Sequence, residues 1–566
     1  MPQPSYVAGP SDRALIDASI GDYLQRAASR HARVEAVVSC HQRVRLTYGD
    51  LLADVERAAR ALITIGVAPG DRVGIWSTNC AEWPVLYYAA ASIGAILVAI
   101  NPAYRVREVE YVLNDAGVTV LVLAQGFRDV DYARTIRALA PDVIDGDRLP
   151  DAPRADDTRL PHLRTVVHLA SVPDGARAVL SWPALIARHV DTSPGQLRER
   201  TAAVRPLDPA AVLYTSGTTG APKGAVLTHR ALLNCGQFVG ERLRYGVDDR
   251  ICLPVPFYHA FGCVLGGMAA LVHGATLVLP SAVFHPEECL NAIDAERCTS
   301  LYGVPTMFIA QVEHASLPQY SQETLRTGIM AGAPCPAELM RRLIERMHLP
   351  ELTVSFGMTE TLATLHTALD DTIDRRVSTV GTPLPHVECK IAGAAGGVAP
   401  RGTAGELCTR SYGVMLGYWN NPAATAAAID EDGWMHTGDL AVMDDEGYVA
   451  IVGRLKDMII RAGEKVYPGD VESFLYTHPH VAEVHVIGVP DVDYGEELCA
   501  WIRVRDGAAV TAEDIRRFCR REIAGFKIPR YIRFVDEFPS TVTGKVQKFR
   551  MREISAAEIG VGGRGQ

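Results

Sequence analysis

Long apolar runs, an excess of basic charge, paired cysteines and a secretory opening are all missing from this 566-residue chain. The longest apolar run, "VLYYAAASIGAILVAI" at 85 to 100, falls short of the roughly 20 residues a membrane span needs. Pro84 and Pro102 bracket it, so it predicts a helix entering a buried strand and no transmembrane segment. Weak peripheral contact with a membrane stays open, as does a homodimer. A formal net charge of -10 excludes the basic surface that nonspecific nucleic-acid binding requires. Twelve cysteines are scattered without a Cys-x-x-Cys pair, which argues against a disulfide framework and against zinc ligands. Reduced thiols in the cytoplasm are the expectation. The opening "MPQPSYVAGPSDRALID" has no basic start with an apolar core, which predicts no secretory leader.

What is present is an ordinary globular composition, 48% hydrophobic and 22% charged, with a mean hydropathy of +0.06. The length exceeds that at which single cores stop growing, so two or more domains are expected. "TYGDLLADVERAARALITIGV" opens with the capping residues Thr47 and Asp50. It places Leu51, Val55, Ala58 and Leu62 on one face and ends at Gly66. "RVGIW" then reads as a strand, followed by a helix from about Ala81, a strand near Val98, a helix "EVEYVLNDA" and a strand "VTVLVLA". This alternation predicts right-handed crossovers and a mostly parallel sheet. A polar stretch at 141 to 163 reads as a surface excursion. After Asp208 come strand "AAVLY", a helix from Thr228, strands "ICLPVP" and "ATLVLP" and helix "PEECLNAIDAE". From about 380 the pattern is strand-dominated, and the last hundred or so residues read as a small α+β unit.

The stretch "TSGTTGAPKGA", 215 to 225, packs hydroxyls, glycines and Lys223 directly after an apolar strand. Glycine and threonine also make ordinary turns. A position between a strand and a helix, where free amides and the helix dipole attract an anion, favours a phosphate loop. It is not a P-loop, because Lys223 follows Pro222 and precedes Gly224.

The loop resembles the signature of the adenylate-forming superfamily of acyl-CoA synthetases, luciferases and peptide-synthetase adenylation domains. Further motifs follow in that family's order: "PFYHAFG" (256 to 262), "FGMTE" (356 to 360), "GELCTRSYGVMLGYW" (405 to 419), "HTGDL" (436 to 440), "GRLKDMIIRAGEKVYPGDVE" (453 to 472) and "TVTGKVQK" (541 to 548). The resemblance covers nearly the whole chain. It implies an α/β fold with a large N-terminal domain, 1–455, of mostly parallel sheets flanked by helices plus a small β-barrel-like part. A small mobile α+β domain, 456–566, would follow, with its hinge at Lys456.

The resemblance also implies roles. ATP would be held by Thr215, Ser216, Gly217, Thr218, Thr219, Gly220 and Lys223 at the phosphates. Gly332, Ala333, Phe356, Gly357 and Met358 would flank the adenine, with Thr359 reaching the phosphates. Asp439 and Arg454 would meet the ribose, with an ordinary Asp–Arg surface pair as the competing reading. The implied catalytic set is Lys545, Thr359, Glu360 and His259, with Glu360 holding Mg²⁺ and His259 shaping the carboxylate entrance rather than acting as a base. Lys548 falls outside the Gly-Lys step. Coenzyme A would pass Ala462, Gly463 and Lys465; relatives often carry two glycines where this chain has Ala462 and Gly463.

Amino-acid-activating relatives usually place an Asp in the segment matching "FYHAFG", and here His259, Ala260 and Phe261 stand instead. The acyl pocket implied by His259, Phe261, Gly262, Val304 and Gly332 is small and apolar. Together with "IWSTNCAEW" and "AGFKIPRYIRFVDEFPSTVTGKVQK", it points to fatty-acyl-CoA synthetases of the medium-chain type and to a medium- to long-chain apolar acid. Two alternatives stay open: a fatty acyl-AMP ligase loading a carrier protein, and an inactive nucleotide-binding regulator.

Overall fold

The structure, a computed structural model, describes residues 3–146, 159–170, 172, 175–215, 222–333, 335–393, 397–462, 464–505, 507–520, 522–541 and 546–562. Two large sheets organise its first four hundred residues. One has eight strands, Leu180–Ser181, Thr165–His168, Val118–Leu123, Arg72–Trp76, Ile96–Ile100, Pro209–Thr215, Lys223–Thr228 and Gly417–Tyr418 in spatial order. Its first six strands run parallel and the last two antiparallel. The other has nine strands, with Glu35–Ser39, Thr276–Leu279, Arg250–Cys252, Ser300–Gly303, Thr327–Ala331 and Glu351–Met358 forming its parallel centre.

Helices join and cover these strands as the periodicity predicts. Tyr48–Thr64 starts at Thr47 in a reciprocal capping box with Asp50, and Leu51, Val55, Ala58 and Leu62 are all buried. Glu82–Ser92 has no polar face, and every residue from Trp83 to Ser92 is buried, so the 85–100 run is a core helix feeding a buried strand. One hydrophobic cluster unites Val73, Ile75, Leu97 and Ala99 of the first sheet with Ile251, Leu277, Tyr302 and Ile329 of the second. Among the described residues no helix is long and apolar enough to cross a membrane. All twelve cysteines are free thiols.

A five-stranded antiparallel sheet follows, with Val387–Ala392, Gly405–Ser411 and Met435–Met443 between the edge strands Tyr6–Ala8 and Val449–Arg454. From 459 the chain forms another sheet, Glu464–Val466, Ile459–Arg461, Gly495–Val504 and Val481–Asp491, with Tyr531–Phe534 beside Gly495–Val504. Helices Pro468–Leu475, Ala512–Arg520 and Lys548–Gly562 accompany it. Two hydrophobic clusters here draw only on residues from Ile459 onward.

Three local expectations change. The candidate phosphate loop is flanked by two antiparallel strands, not by a strand and a helix. "GAVLT" is β-branched and apolar enough to pair back on "AAVLY", with Val212 opposite Val226 and Thr215 opposite Lys223, and the helix waits until His229. The helix dipole therefore does not serve this loop. The strand read from "ICLPVP" stops at Cys252, where prolines remove ladder donors. The 141–163 stretch is not wholly a surface excursion: Val143, Ile144, Leu160 and Leu163 are buried in the cluster beneath Trp76 and Tyr132.

Candidate active site

Parallel strands end at one edge, and that edge gathers four of the motifs. "PFYHAFG" follows Arg250–Cys252, Val304 follows Ser300–Gly303, Gly332 and Ala333 follow Thr327–Ala331, and Thr359 and Glu360 follow Glu351–Met358. Ligand sites of open α/β sheets sit outside the carboxyl ends of the strands for this reason. Gly332 (φ +85°) and Val304 touch: a Cβ on the glycine would stand 3.2 Å from Val304 Cγ1.

"FGMTE" makes the turn of a hairpin with Leu362–His366. Gly357 is obligatory there, since a Cβ would fall 2.0 Å from the Leu362 carbonyl. Phe356 is half-buried against the main core, and Met358 and Thr359 are half-buried beyond it. Glu360 is 6% exposed. Its Oε1 accepts a hydrogen bond of 2.8 Å from the Tyr418 hydroxyl, and its backbone carbonyl accepts one from the Met415 amide. Oε2 makes no hydrogen bond among the described residues, which leaves a hard oxygen ligand for a cation. Burial and the Glu360 carboxylate push the Tyr418 phenol well above the usual tyrosine range, so it stays a donor.

At the phosphate loop the described ends are Thr215 and Lys223, opposed in register, with the exposed Lys223 ammonium 5.0 Å from the Tyr418 ring centroid. Ser216, Gly217, Thr218, Thr219 and Gly220 lie outside the described residues. So do Gly463 and Lys545; Lys465 is placed in the strand Glu464–Val466 by its backbone alone.

Asp439 and Arg454 do pair, Nε to Oδ1 at 2.9 Å, but not as a surface pair: Asp439 is only 4% exposed. The turn before Asp439 is tied down by Glu406, whose Oε1 accepts from the Gly438 amide while Oε2 lies 2.8 Å from His436 Nδ1. Cys408 Sγ stands 3.6 Å from the same nitrogen. Glu406, Cys408 and His436 thus come within metal-ligand spacing, which the scattered cysteines did not foretell, yet both Glu406 oxygens are already engaged in holding the turn.

In "PFYHAFG", His259 is exposed and its carbonyl accepts from the Gly262 and Cys263 amides, opening a wide π-helix over Phe261–Met268. Such widened turns mark functional sites. Gly262 is needed for the tight entry, because a Cβ would lie 2.2 Å from the Pro256 carbonyl. Phe261 stacks on Tyr302 with centroids 5.5 Å apart, and the Tyr302 hydroxyl donates to the Leu265 carbonyl. Every other residue of that helix is buried and apolar.

Residues 24–419 match the family model described as AMP-binding enzyme, and residues 470–545 match that of the AMP-binding enzyme C-terminal domain. The chain belongs to the AMP-binding enzyme family. It is 41% identical over 560 residues to the mitochondrial medium-chain acyl-CoA ligase ACSF2 of Homo sapiens, covering 97% of this chain and 89% of that one. Among solved structures it is similar to the anthranilate CoA ligase AuaEII in complex with anthranoyl-AMP, at a TM-score of 0.84 and 27% identity over 97% of this chain and 99% of that one. ATP-bound MatB from Rhodopseudomonas palustris superposes at a TM-score of 0.78 with 28% identity, over 95% and 99% of the two chains.

The remaining family motifs lie past the antiparallel sheet. Lys456 is exposed in the short turn Leu455–Asp457, where partial desolvation and the neighbouring Arg454 guanidinium lower its ammonium pKa. Ala462 makes the turn between Ile459–Arg461 and Glu464–Val466 at φ +50°, a left-handed conformation that explains why glycine suits this place. Lys548 is committed elsewhere, its ammonium 2.6 Å from the buried Glu472. Sequence reasoning passed over Tyr418 altogether. Its signal was available, since "GYW" lies within a quoted motif, but only the folded chain shows which strand it pairs with.

Proposed function

We propose that the protein is an AMP-forming, ATP-dependent fatty-acid–CoA ligase acting on medium- to long-chain apolar acids. The observation that carries this reading is the junction of two environments at one sheet edge. The polar hairpin bearing Glu360 and the wholly apolar π-helix Phe261–Met268, which offers no charge to meet a polar tail, both follow parallel strands of the nine-stranded sheet at its carboxyl edge. The identity to a medium-chain acyl-CoA ligase supports the same substrate class.

In the first step a carboxylate oxygen of the acid attacks the α-phosphorus of ATP. The α–β bridging P–O bond breaks, pyrophosphate leaves, and an acyl-adenylate results. In the second step the CoA sulfur attacks the acyl carbon, AMP departs with the mixed-anhydride oxygen, and the thiol proton is lost. Two anions meet in the first step, so the residues act by alignment and charge stabilisation. Asp439, positioned by Arg454 and the Thr437 hydroxyl that accepts its amide, holds the ribose. Lys545, in "TVTGKVQK", would bring a positive charge to the α-phosphate. Thr215 to Lys223 cradle the leaving pyrophosphate. Glu360 would hold Mg²⁺, which neutralises phosphate charge when bound. Two bodies, 1–455 and 456–566, turning at Lys456, would exchange Lys545 for the Ala462–Lys465 turn between steps; the separate hydrophobic clusters beyond Ile459 support this division. A reducing, cytoplasm-like compartment fits twelve free thiols.

The test is pyrophosphate release from ATP with acids of graded chain length, with and without CoA. Release followed by acyl-CoA formation is expected. Stable acyl-adenylate that CoA does not discharge would mean a carrier-protein acceptor, and no release with any acid would overturn the reading.

A further inference from the structure

Glu360 and Lys223 belong to different sheets, and one side chain touches both. Glu360 follows the strand Glu351–Met358 of the nine-stranded sheet, whereas Lys223 begins the strand Lys223–Thr228 of the eight-stranded one. The Tyr418 hydroxyl donates to Glu360 Oε1 at 2.8 Å, and its ring face lies 5.0 Å from the Lys223 ammonium.

Tyr418 is itself held firmly. It pairs with Ala225 across the sheet, and its amide donates to Thr425 Oγ1 at 2.9 Å. On one side the Leu416 amide donates to the Val226 carbonyl; on the other the Trp419 amide donates to the Gly224 carbonyl at 2.7 Å and the Trp419 indole to the Asp115 carbonyl. The Met415 amide binds the backbone carbonyl of Glu360. Residues 415 to 419 therefore form a clasp that fastens the strand leaving the phosphate loop to the turn carrying Glu360. The clasp needs no aromatic hydroxyl for its backbone bonds. A phenylalanine at 418 would keep every one of them, so the phenol serves something else.

We propose that Tyr418 is a positioning residue for the metal and phosphates, its hydroxyl aiming Glu360 and its ring docking Lys223. The proposal rests on the reading of Glu360 as the Mg²⁺ ligand. A carboxylate offers about four lone-pair sites on two oxygens. The phenol occupies Oε1 and fixes the rotation of the group, which leaves Oε2 to the cation that Glu360 would hold. The ring face meanwhile gathers a flexible lysine stem that would otherwise wander in solvent. The same residue would thus place the carboxylate that would hold Mg²⁺ and the lysine proposed for the phosphates in fixed relation to each other.

The experiment compares Tyr418→Phe, Tyr418→Leu and Glu360→Gln in the full-length protein. Mn²⁺ binding to the protein–ATP complex is read by electron paramagnetic resonance, alongside AMP binding, metal-free pyrophosphate binding and the melting temperature. Loss of an outer hydrogen-bond partner typically weakens a metal about 10- to 100-fold. Tyr418→Phe should weaken Mn²⁺ by about that factor while AMP and metal-free pyrophosphate binding and melting stay as in the parent. Tyr418→Leu should also weaken metal-free pyrophosphate binding, because the ring that docks Lys223 is gone. If Glu360→Gln weakens Mn²⁺ but Tyr418→Phe does not, the positioning role is wrong and the reading of Glu360 survives. If Glu360→Gln leaves Mn²⁺ binding unchanged, that reading fails and takes the proposal with it. A Tyr418→Phe protein that loses melting temperature and AMP binding as much as Mn²⁺ binding would show a merely structural residue and overturn the proposal.

Discussion

Asp439 and Arg454 stand directly opposite one another on adjacent antiparallel strands, joined by a 2.9 Å contact from Nε to Oδ1. The arginine lies two residues before Lys456, so the proposed ribose acceptor is braced by the last strand before the proposed hinge. Asp439→Ala should raise the KM for ATP by about tenfold or more, given the ~1.5–3 kcal/mol of hydrogen bonds to a charged group. The KM for the acid should move little. Steady-state kinetics with each substrate varied in turn checks this; an equal rise for both would mean that the antiparallel sheet, not the ribose contact, had been damaged.

Lys545→Ala should abolish adenylate formation and largely spare thioester formation from supplied acyl-AMP. Gly463→Leu should do the reverse. Both half-reactions are read separately, by pyrophosphate release and by acyl-CoA appearance. Equal loss of the two steps in the lysine variant would make Lys545 a residue of the fold alone, and normal thioester synthesis in the leucine variant would remove the tunnel assignment.

Ala462 holds a left-handed backbone at φ +50°, with its amide bonded to the Tyr494 carbonyl at 2.8 Å. That conformation costs an L-residue roughly 1–2 kcal/mol and glycine almost nothing. Ala462→Gly should therefore stabilise the region by about 1 kcal/mol, after the extra freedom of glycine in the unfolded chain is set against it. Urea unfolding measures this, and a midpoint that falls would show the turn to be unstrained.

His229 and His366 are fully buried. Burial lowers the His229 imidazole to about 4, and its Nδ1 accepts the Ile20 amide, so it must be neutral. His366 is held well below its ordinary value by burial and then by Arg242. The unfolded chain titrates these groups near ~6.5, so it binds more protons than the folded one below that pH. The stability they contribute is complete above ~6.5 and is lost as pH falls toward about 4. Each should cost up to ~1.4 kcal/mol per pH unit in that window. Urea unfolding at pH 7.5, 6.5 and 5.5 should show a steady loss below 6.5; equal midpoints would contradict it.

Much of the fold is legible in local pattern. The Thr47–Asp50 box and the Leu51, Val55, Ala58, Leu62 face specify one helix without help from the rest of the chain. Alternation of such helices with short apolar runs specifies parallel strands, and parallel strands put their following loops at one edge. The candidate site residues Glu360, Asp439 and Arg454 were proposed from short contiguous segments, and the structure shows Asp439 and Arg454 paired and Glu360 buried. The phosphate loop misled where pattern is ambiguous. "GAVLT" suits either a helix entry or a strand, and the choice was made by "AAVLY", the neighbour it pairs with.

By itself the sequence determined the order of elements, the apolar character of the segment at 260 to 268 and the identity of the charged groups, because these depend on residues close together along the chain. Only the tertiary structure decided that Tyr418 lies against Glu360, 58 residues away and beyond a strand of the other sheet, and against Lys223 on the strand beside its own. That decision comes from strand pairing and burial, which depend on the whole folded chain and leave no periodic trace in any one segment.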